Sequence, residues 1–315
     1  MSWLVLVIFR ALAIWYRILP RPFHLRSQSA LAFLLSKISF SSIERNLNVI
    51  DRYRVSRGEP PLNKSDVRFK FWYYQLKNIM DFMIFLVNDQ PGVEDLVKWP
   101  CGEEILHRAY SDGNGIVGVC LHMGNWELGG RSVTDKGYEL NSLVFEQLNP
   151  ALDNFISKAR INSKIKLLHQ RRGIRKAVKM LQKGEIVTVL CDQDGTRAGH
   201  FTNFFNLPLS FPRVFELFLS KSNARVVPLV MLHTKDAYEI HVLDEWPVNR
   251  ENWNEWLQDF YQNLSHHLED WISKYPEQWL LIYDRFKFRH EQKWLEEGTL
   301  QEVKAHYQNI WKGIG

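Results

Sequence analysis

The apolar positions of the chain fall into three regimes. Residues 2–19 (SWLVLVIFRALAIWYRIL) form a nearly unbroken apolar stretch closed by Pro20 and Pro22. As a helix it is marginally long enough for a bilayer core, which takes roughly 20 residues, and the prolines end it. The second regime runs to about residue 105 and predicts helices. Ala30 to Phe40 is too short to span and carries Lys37, so it predicts an amphipathic helix against a membrane or the core. A Gly- and Pro-containing loop over 57–65 follows, then a long aromatic-rich helix over 66–87 capped by Ser65.

From Gly113 onward, apolar runs alternate with helical patterns. Strands are predicted at 116–121, 140–145, 186–191, 225–232 and 238–243. Helices are predicted near 126–134, 151–162, 172–183 and 212–222, with a further helical pattern over 253–273. That order implies an α/β fold, a sheet with helices on both faces. The chain divides into an N-terminal membrane-anchor helix (1–19), a helical, partly membrane-facing region (20–105) and an α/β domain with a helical end (106–315).

Charge sharpens the first regime. The net charge is +5, and Arg10, Arg17, Arg21, Arg26 and Lys37 precede the first acid, Glu44. Removing those five leaves 35 basic and 35 acidic residues, so the whole excess lies before position 44. This argues against a globally basic nucleic-acid binder and for a membrane role of the N-terminus. The positive flank after the apolar stretch predicts that the bulk of the chain stays cytoplasmic, and no cleavage pattern marks a secretory signal. The helix can span with Arg17 at the headgroups or lie in the interface. Cys101, Cys120 and Cys191 are too few and scattered for a disulfide framework or a zinc site, which points to a reducing compartment.

Candidate chemistry concentrates after the strand at 116–121, in His122-Met123-Gly124-Asn125-Trp126-Glu127 and on to Arg131. Loops at the carboxyl ends of strands in open α/β sheets bind ligands. If a helix starts at the Gly124-Asn125 turn, His122 stays in the loop and Glu127, on the first turn, can orient its ring. That is a general base with its carboxylate partner. From Asn154 to Gly184 the chain carries ten cations and no acid: Lys158, Arg160, Lys164, Lys166, Arg171, Arg172, Arg175, Lys176, Lys179 and Lys183. Such a run suits an anionic partner. Asp192 and Asp194 after the strand at 186–191 also fit a D-x-D cation site of a membrane-associated glycosyltransferase. A G-x-G-x-x-G match at 113–118 leads into a strand instead of linking strand to helix, so it is no dinucleotide fingerprint. His266 and His267 diverge on a helix and are poor co-ligands.

The ordered blocks HMGNWELGGR, LNP (148–150), CDQDG (191–195), FFNLP (204–208) and PEQWLLIYDRFK (276–287) resemble the bacterial late acyltransferases of lipid A biosynthesis, the lauroyl/myristoyl transferases. The similarity covers residues 105–290. It implies a fold like that of glycerol-phosphate acyltransferases, with acyl transfer from an acyl-carrier-protein thioester to a hydroxyl of a lipid A precursor. In that reading His122 is the general base and Glu127 its orienter, with no acyl-enzyme, no metal and no cofactor beyond the acyl carrier as co-substrate.

The resemblance also implies a bacterial inner-membrane enzyme with its catalytic domain on the cytoplasmic face. Its partners would be acyl carrier protein, the phospholipid membrane and an anionic glycolipid acceptor. Arg160 would be the active-site cation, with Asp192 and Asp194 as supporting acids that pair with arginines or shape the turn. Asn125, Arg131, Arg171, Arg172 and Arg285 would be substrate contacts. Trp279 reads as core. Two departures, Tyr283-Asp284 where the family often has His-Arg and Gln147 where it often has arginine, leave room for an acceptor such as another glycolipid or an aminolipid. A non-catalytic lipid-binding relative is the third class compatible with the pattern.

Overall fold

The computed structural model describes residues 21–144, 149–196, 198–235 and 237–286, together with the single positions 7, 11, 14 and 18. The stretch 2–19, expected as a membrane helix, otherwise lies outside the described residues. Among the described residues, no helix is long and apolar enough to cross a membrane.

Three helices lead: α1 (Arg21–Ser36), α2 (Ser41–Ser56) and α3 (Lys64–Asp81), the last continued by one π-helical turn, Phe82–Val87. The cap of α3 is Asn63, whose Oδ1 accepts from Asp66 N–H at 3.2 Å, and not the expected Ser65. Then follow α4 (Val93–Leu96), β1 (Val97–Cys101), α5 (Glu103–Ser111), β2 (Ile116–Cys120), α6 (Trp126–Asp135), β3 (Leu140–Val144), α7 (Pro150–Asn162) and β4 (Lys166–His169). The rest is α8 (Gln170–Leu181), β5 (Ile186–Leu190), the hairpin β6 (His200–Phe204) and β7 (Leu207–Phe211), α9 (Val214–Lys221), β8 (Arg225–His233), β9 (Tyr238–Val242) and α10 (Trp253–Lys274).

The five predicted strands are all present. Sequence patterning missed β1, the four-residue β4 and the hairpin, because β1 is largely exposed and β4 is short and begins in the cationic run.

Seven strands form one sheet in the order β1-β9-β8-β2-β5-β3-β4. All neighbours run parallel except β8 and β9, which are antiparallel. Alternation along the strands feeds two cores. Val117, Val119, Val187, Val189, Val226 and Val230 pack with α2, α8, α9 and α10. Ile116, Ile186, Val227, Leu229 and Met231 pack with the π-helical turn, α5, α6 and α7. Successive side chains on a strand point to opposite faces, so the sheet is covered on both sides, as parallel sheets require.

Candidate active site

β2 and β5 are adjacent and parallel, so their carboxyl ends deliver the next residues side by side. Cys191 N–H still pairs with the Cys120 carbonyl at 2.9 Å, after which His122 and Asp192 leave the sheet together. Nδ1 of His122 lies 2.7 Å from Asp192 Oδ1, and the His122 backbone N–H donates to Oδ2 at 3.2 Å. A carboxylate only accepts, so the shared proton sits on Nδ1 and Nε2 is the acceptor of the neutral ring.

Asp192 is buried. Burial works to raise its pKa, but the His122 ring and the hydrogen bonds from His122 and Trp279 prevail and hold it below the usual carboxylate range. The Trp279 indole N–H donates to Asp192 Oδ2 at 2.7 Å. With three donors on its two oxygens, Asp192 is committed to positioning the imidazole.

The second half of the site comes from two helix ends. Asn125 caps α6, its Oδ1 accepting from Leu128 N–H at 3.2 Å, which puts Glu127 on the first turn. Gly124 permits the preceding turn: its φ is +59°, and a Cβ there would lie 2.3 Å from the Met231 carbonyl oxygen. Arg160, on the last turn of α7, grips Glu127 with a fork, Nε to Oε2 at 2.9 Å and Nη2 to Oε1 at 2.5 Å. Burial opposes the guanidinium charge, and Glu127 more than offsets it, so the Arg160 pKa is raised.

The expected pairing is therefore corrected. The carboxylate that bonds the His122 ring is Asp192, and Glu127 is engaged by Arg160 and by the Trp126 indole N–H at 3.2 Å. Asp192 pairs with a histidine where arginines were expected.

His122, Trp126, Glu127, Arg160 and Gln193 line a cavity of about 210 Å³ whose other walls are mostly apolar, with Val133, Leu140, Ile165, Leu229, Met231 and Ile240 beside the hydroxyls of Ser142 and Thr188. The cavity lies between α6 and the sheet, where Gly129 and Gly130 present no side chain. Cys120 borders it too, but burial pushes that thiol up to about 12, and Cys191 is likewise driven up. Neither is a nucleophile at neutral pH.

The other expected site residues lie apart. Asp194 shapes the turn: Oδ1 accepts from Thr196 N–H at 3.1 Å, and its own N–H donates to the Tyr283 hydroxyl at 3.1 Å. Asp192 and Asp194 thus share no open cation site, and no cluster suited to a metal occurs among the described residues.

Arg131 is spent on Asp135, Asp89 and the Phe85 carbonyl. Arg285, expected at a headgroup, is buried over the rings of Phe204 and Phe211 and donates to the Ser210 carbonyl at 2.8 Å. Asn125 is buried as a helix cap. Arg171 and Arg172 begin α8, and their side chains lie outside the described residues.

Sequence reasoning missed the clamp beneath the His122 loop. Residues 278–280 lie antiparallel to it: Gly124 N–H donates to the Gln278 carbonyl and Leu280 N–H to the His122 carbonyl, both at 3.0 Å. Asn78 of α3 donates to the Gly124 carbonyl at 2.8 Å. These contacts join residues 46 to more than 150 positions apart, which no local spacing reveals.

The model of the bacterial lipid A biosynthesis acyltransferases matches residues 78–288, about two thirds of the chain. The chain belongs to that family. No individual curated protein matches it at a significant level. The matched span begins at Asn78 and ends just past Arg285, so it contains the His122–Asp192 pair, the Glu127–Arg160 pair and the clamp.

Proposed function

We propose that this acyltransferase moves a fatty acyl chain from acyl-carrier-protein thioester to a hydroxyl of an anionic glycolipid of the lipid A pathway. The observation that carries the reading is the His122–Asp192 pair, with His122 in the wall of a largely apolar cavity. Nε2 of His122 takes the proton of the acceptor hydroxyl, and Asp192 stabilises the imidazolium. The oxygen attacks the thioester carbonyl while the acyl chain occupies the cavity. Arg160 lines the same cavity with Nη1 outside its fork to Glu127, as a donor to the tetrahedral oxyanion. Collapse expels the carrier's thiolate, which takes the proton back from His122, so the products are an ester and a free carrier thiol. No acyl-enzyme forms, in keeping with the inert buried thiols.

Carrier and membrane complete the reading. Arg175, Lys176, Lys179 and Lys183 are exposed on and just after α8 and make no ion pair among the described residues. They offer a cationic surface for an acidic carrier. The acid-free N-terminus suits an anionic inner membrane, with the catalytic domain on its cytoplasmic face. The test is direct: His122→Ala should abolish transfer from acyl-carrier protein to a lipid A precursor while the folded protein is retained. Full activity in that variant overturns the mechanism.

A further inference from the structure

Helix α1 is built inside out. Its buried side holds His24, Gln28 and Ala32, spaced four apart and so aligned on one face. Gln28 fixes this face to α3 by donating Nε2–H to the Tyr73 carbonyl at 2.8 Å, while its Oε1 is buried without a partner. The outward side carries the large apolar residues: Leu31, Phe33 and Leu34 are 46%, 53% and 63% exposed, and Ile38, just past the helix, is 52% exposed. A helix at a water-facing surface has the reverse polarity. An apolar patch of this kind calls for an apolar medium on its outer side.

The rim of the patch identifies the medium. Arg26 and Lys37 are exposed beside it, the Lys37 ammonium 4.7 Å from the centre of the Phe33 ring. No acidic residue precedes Glu44 in the sequence, so nothing on this segment repels an anionic surface. Apolar side chains edged by cations fit lipid tails below anionic headgroups.

We propose that the outward face of α1 docks in the plane of an anionic phospholipid bilayer, independently of residues 2–19. Leu31, Phe33, Leu34 and Ile38 would sit among the acyl chains, with Arg26 and Lys37 at the phosphates. The consequence reaches the site. α1 packs along α3, and α3 supplies Asn78 to the Gly124 carbonyl, two residues after His122. Docking through α1 therefore holds the catalytic loop at a fixed height over the lipid that carries the acceptor, a consequence that rests on the acceptor being a membrane lipid.

The test uses the full-length chain with Cys101, the exposed cysteine, replaced by serine, that chain alone giving the labelling background. An environment-sensitive fluorophore is attached at Leu34→Cys, with a control probe at exposed Glu251→Cys. Before lipid is added, iodide should quench both probes. With vesicles of phosphatidylcholine and phosphatidylglycerol, the Leu34 probe should shift to the blue, lose iodide quenching and be quenched by doxyl-labelled lipid, more than with phosphatidylcholine alone. The Glu251 probe should stay open to iodide.

Continued iodide quenching at position 34 in the presence of anionic vesicles overturns the proposal. So does shielding before lipid is added, which would mean that the chain's own N-terminal stretch or a second copy covers the face. A Leu34→Glu variant should lose activity severalfold on acceptor embedded in vesicles and keep it on acceptor in detergent micelles. Equal activity in both formats counts against the docking. The fluorescence needs no turnover, so it stands or falls separately from the chemistry assigned to His122.

Discussion

Trp279 donates its indole N–H to Asp192 Oδ2 at 2.7 Å, and Asp192 Oδ1 in turn holds Nδ1 of His122 at 2.7 Å. A residue that reads in the sequence as core thus holds the carboxylate that bonds the His122 ring. A hydrogen bond to a charged group contributes about 1.5–3 kcal/mol. Trp279→Phe should lower kcat, by up to about 100-fold, because the carboxylate that fixes the ring loses its anchor and shifts, with KM little changed. Without the indole N–H, Asp192 holds the imidazolium more strongly, so the acid limb of the kcat/KM–pH profile should move to higher pH. A purely structural role would lower the melting temperature and leave the pH profile in place.

Asp192 and Glu127 separate by function. Asp192→Asn keeps the shape but removes the charge that stabilises the imidazolium, and kcat should fall by about 10²–10⁴. Glu127→Gln leaves the His122 ring bond intact and loosens Arg160, so its loss should be smaller and shared with Arg160. A double-mutant cycle of Glu127→Gln with Arg160→Gln should return a coupling of about 1–3 kcal/mol. An equal collapse of kcat in the two single carboxylate variants would instead return the orienting role to Glu127.

The contrast shows what the sequence carries. The alternating apolar runs of β2, β5 and β8 and the cap at Asn125 are local signals, so the sheet and the placement of His122 after β2 are readable from the residues. The partner of His122 is not, because Asp192 arrives through the pairing of β2 with β5, 70 residues away. Glu127 is the acid nearest in sequence, yet the start of α6 turns it toward α7 and Arg160. Arg285 resembles a ligand residue in a motif and is spent in the core, since only the packed hairpin β6–β7 shows where its side chain goes.

Stability should fall on mild acidification. Burial depresses the His267 pKa to about 4 from 6.5, and its ring meets Trp246 edge to face at 5.5 Å between centroids. Above pH 6.5 the ring is neutral in both states and contributes no pH dependence. As pH falls from 6.5 to about 4, the unfolded chain takes up a proton that the folded chain refuses. The loss should reach about 2–3 kcal/mol near the lower value. His267→Phe should flatten the urea midpoint across this window by that share, leaving the part owed to buried His233, whose pKa is also depressed by burial and by Lys77. An unchanged slope in the variant would refute the assignment.

Carrier docking should respond to salt. Reversing Arg175, Lys176 and Lys179 to glutamate removes three exposed cations from α8 without touching the cavity. KM for the acyl carrier should rise, with its dependence on ionic strength weakened, while kcat is preserved. Unaltered donor kinetics would place the carrier elsewhere.

The cavity wall predicts a change in chain-length preference. A Cβ at Gly129 would sit 3.5 Å from the Met231 sulfur, an ordinary contact, so the position accepts a side chain. At Gly130 the Cβ would come within 3.0 Å of Ile165 Cδ1, a tighter fit that makes it the less tolerant site. Gly129→Leu also removes a glycine from the interior of α6, which favours the helix. Its side chain should fill part of the apolar space and exclude the end of a long acyl group. Losing room for two methylenes withdraws about 1.6 kcal/mol of burial, roughly a tenfold fall in kcat/KM for the longest donor. Rates across carrier-bound acyl chains of graded length check this: the longest donors should lose most and the shortest keep their rate. A uniform loss across all lengths would mean that the chain does not run past Gly129.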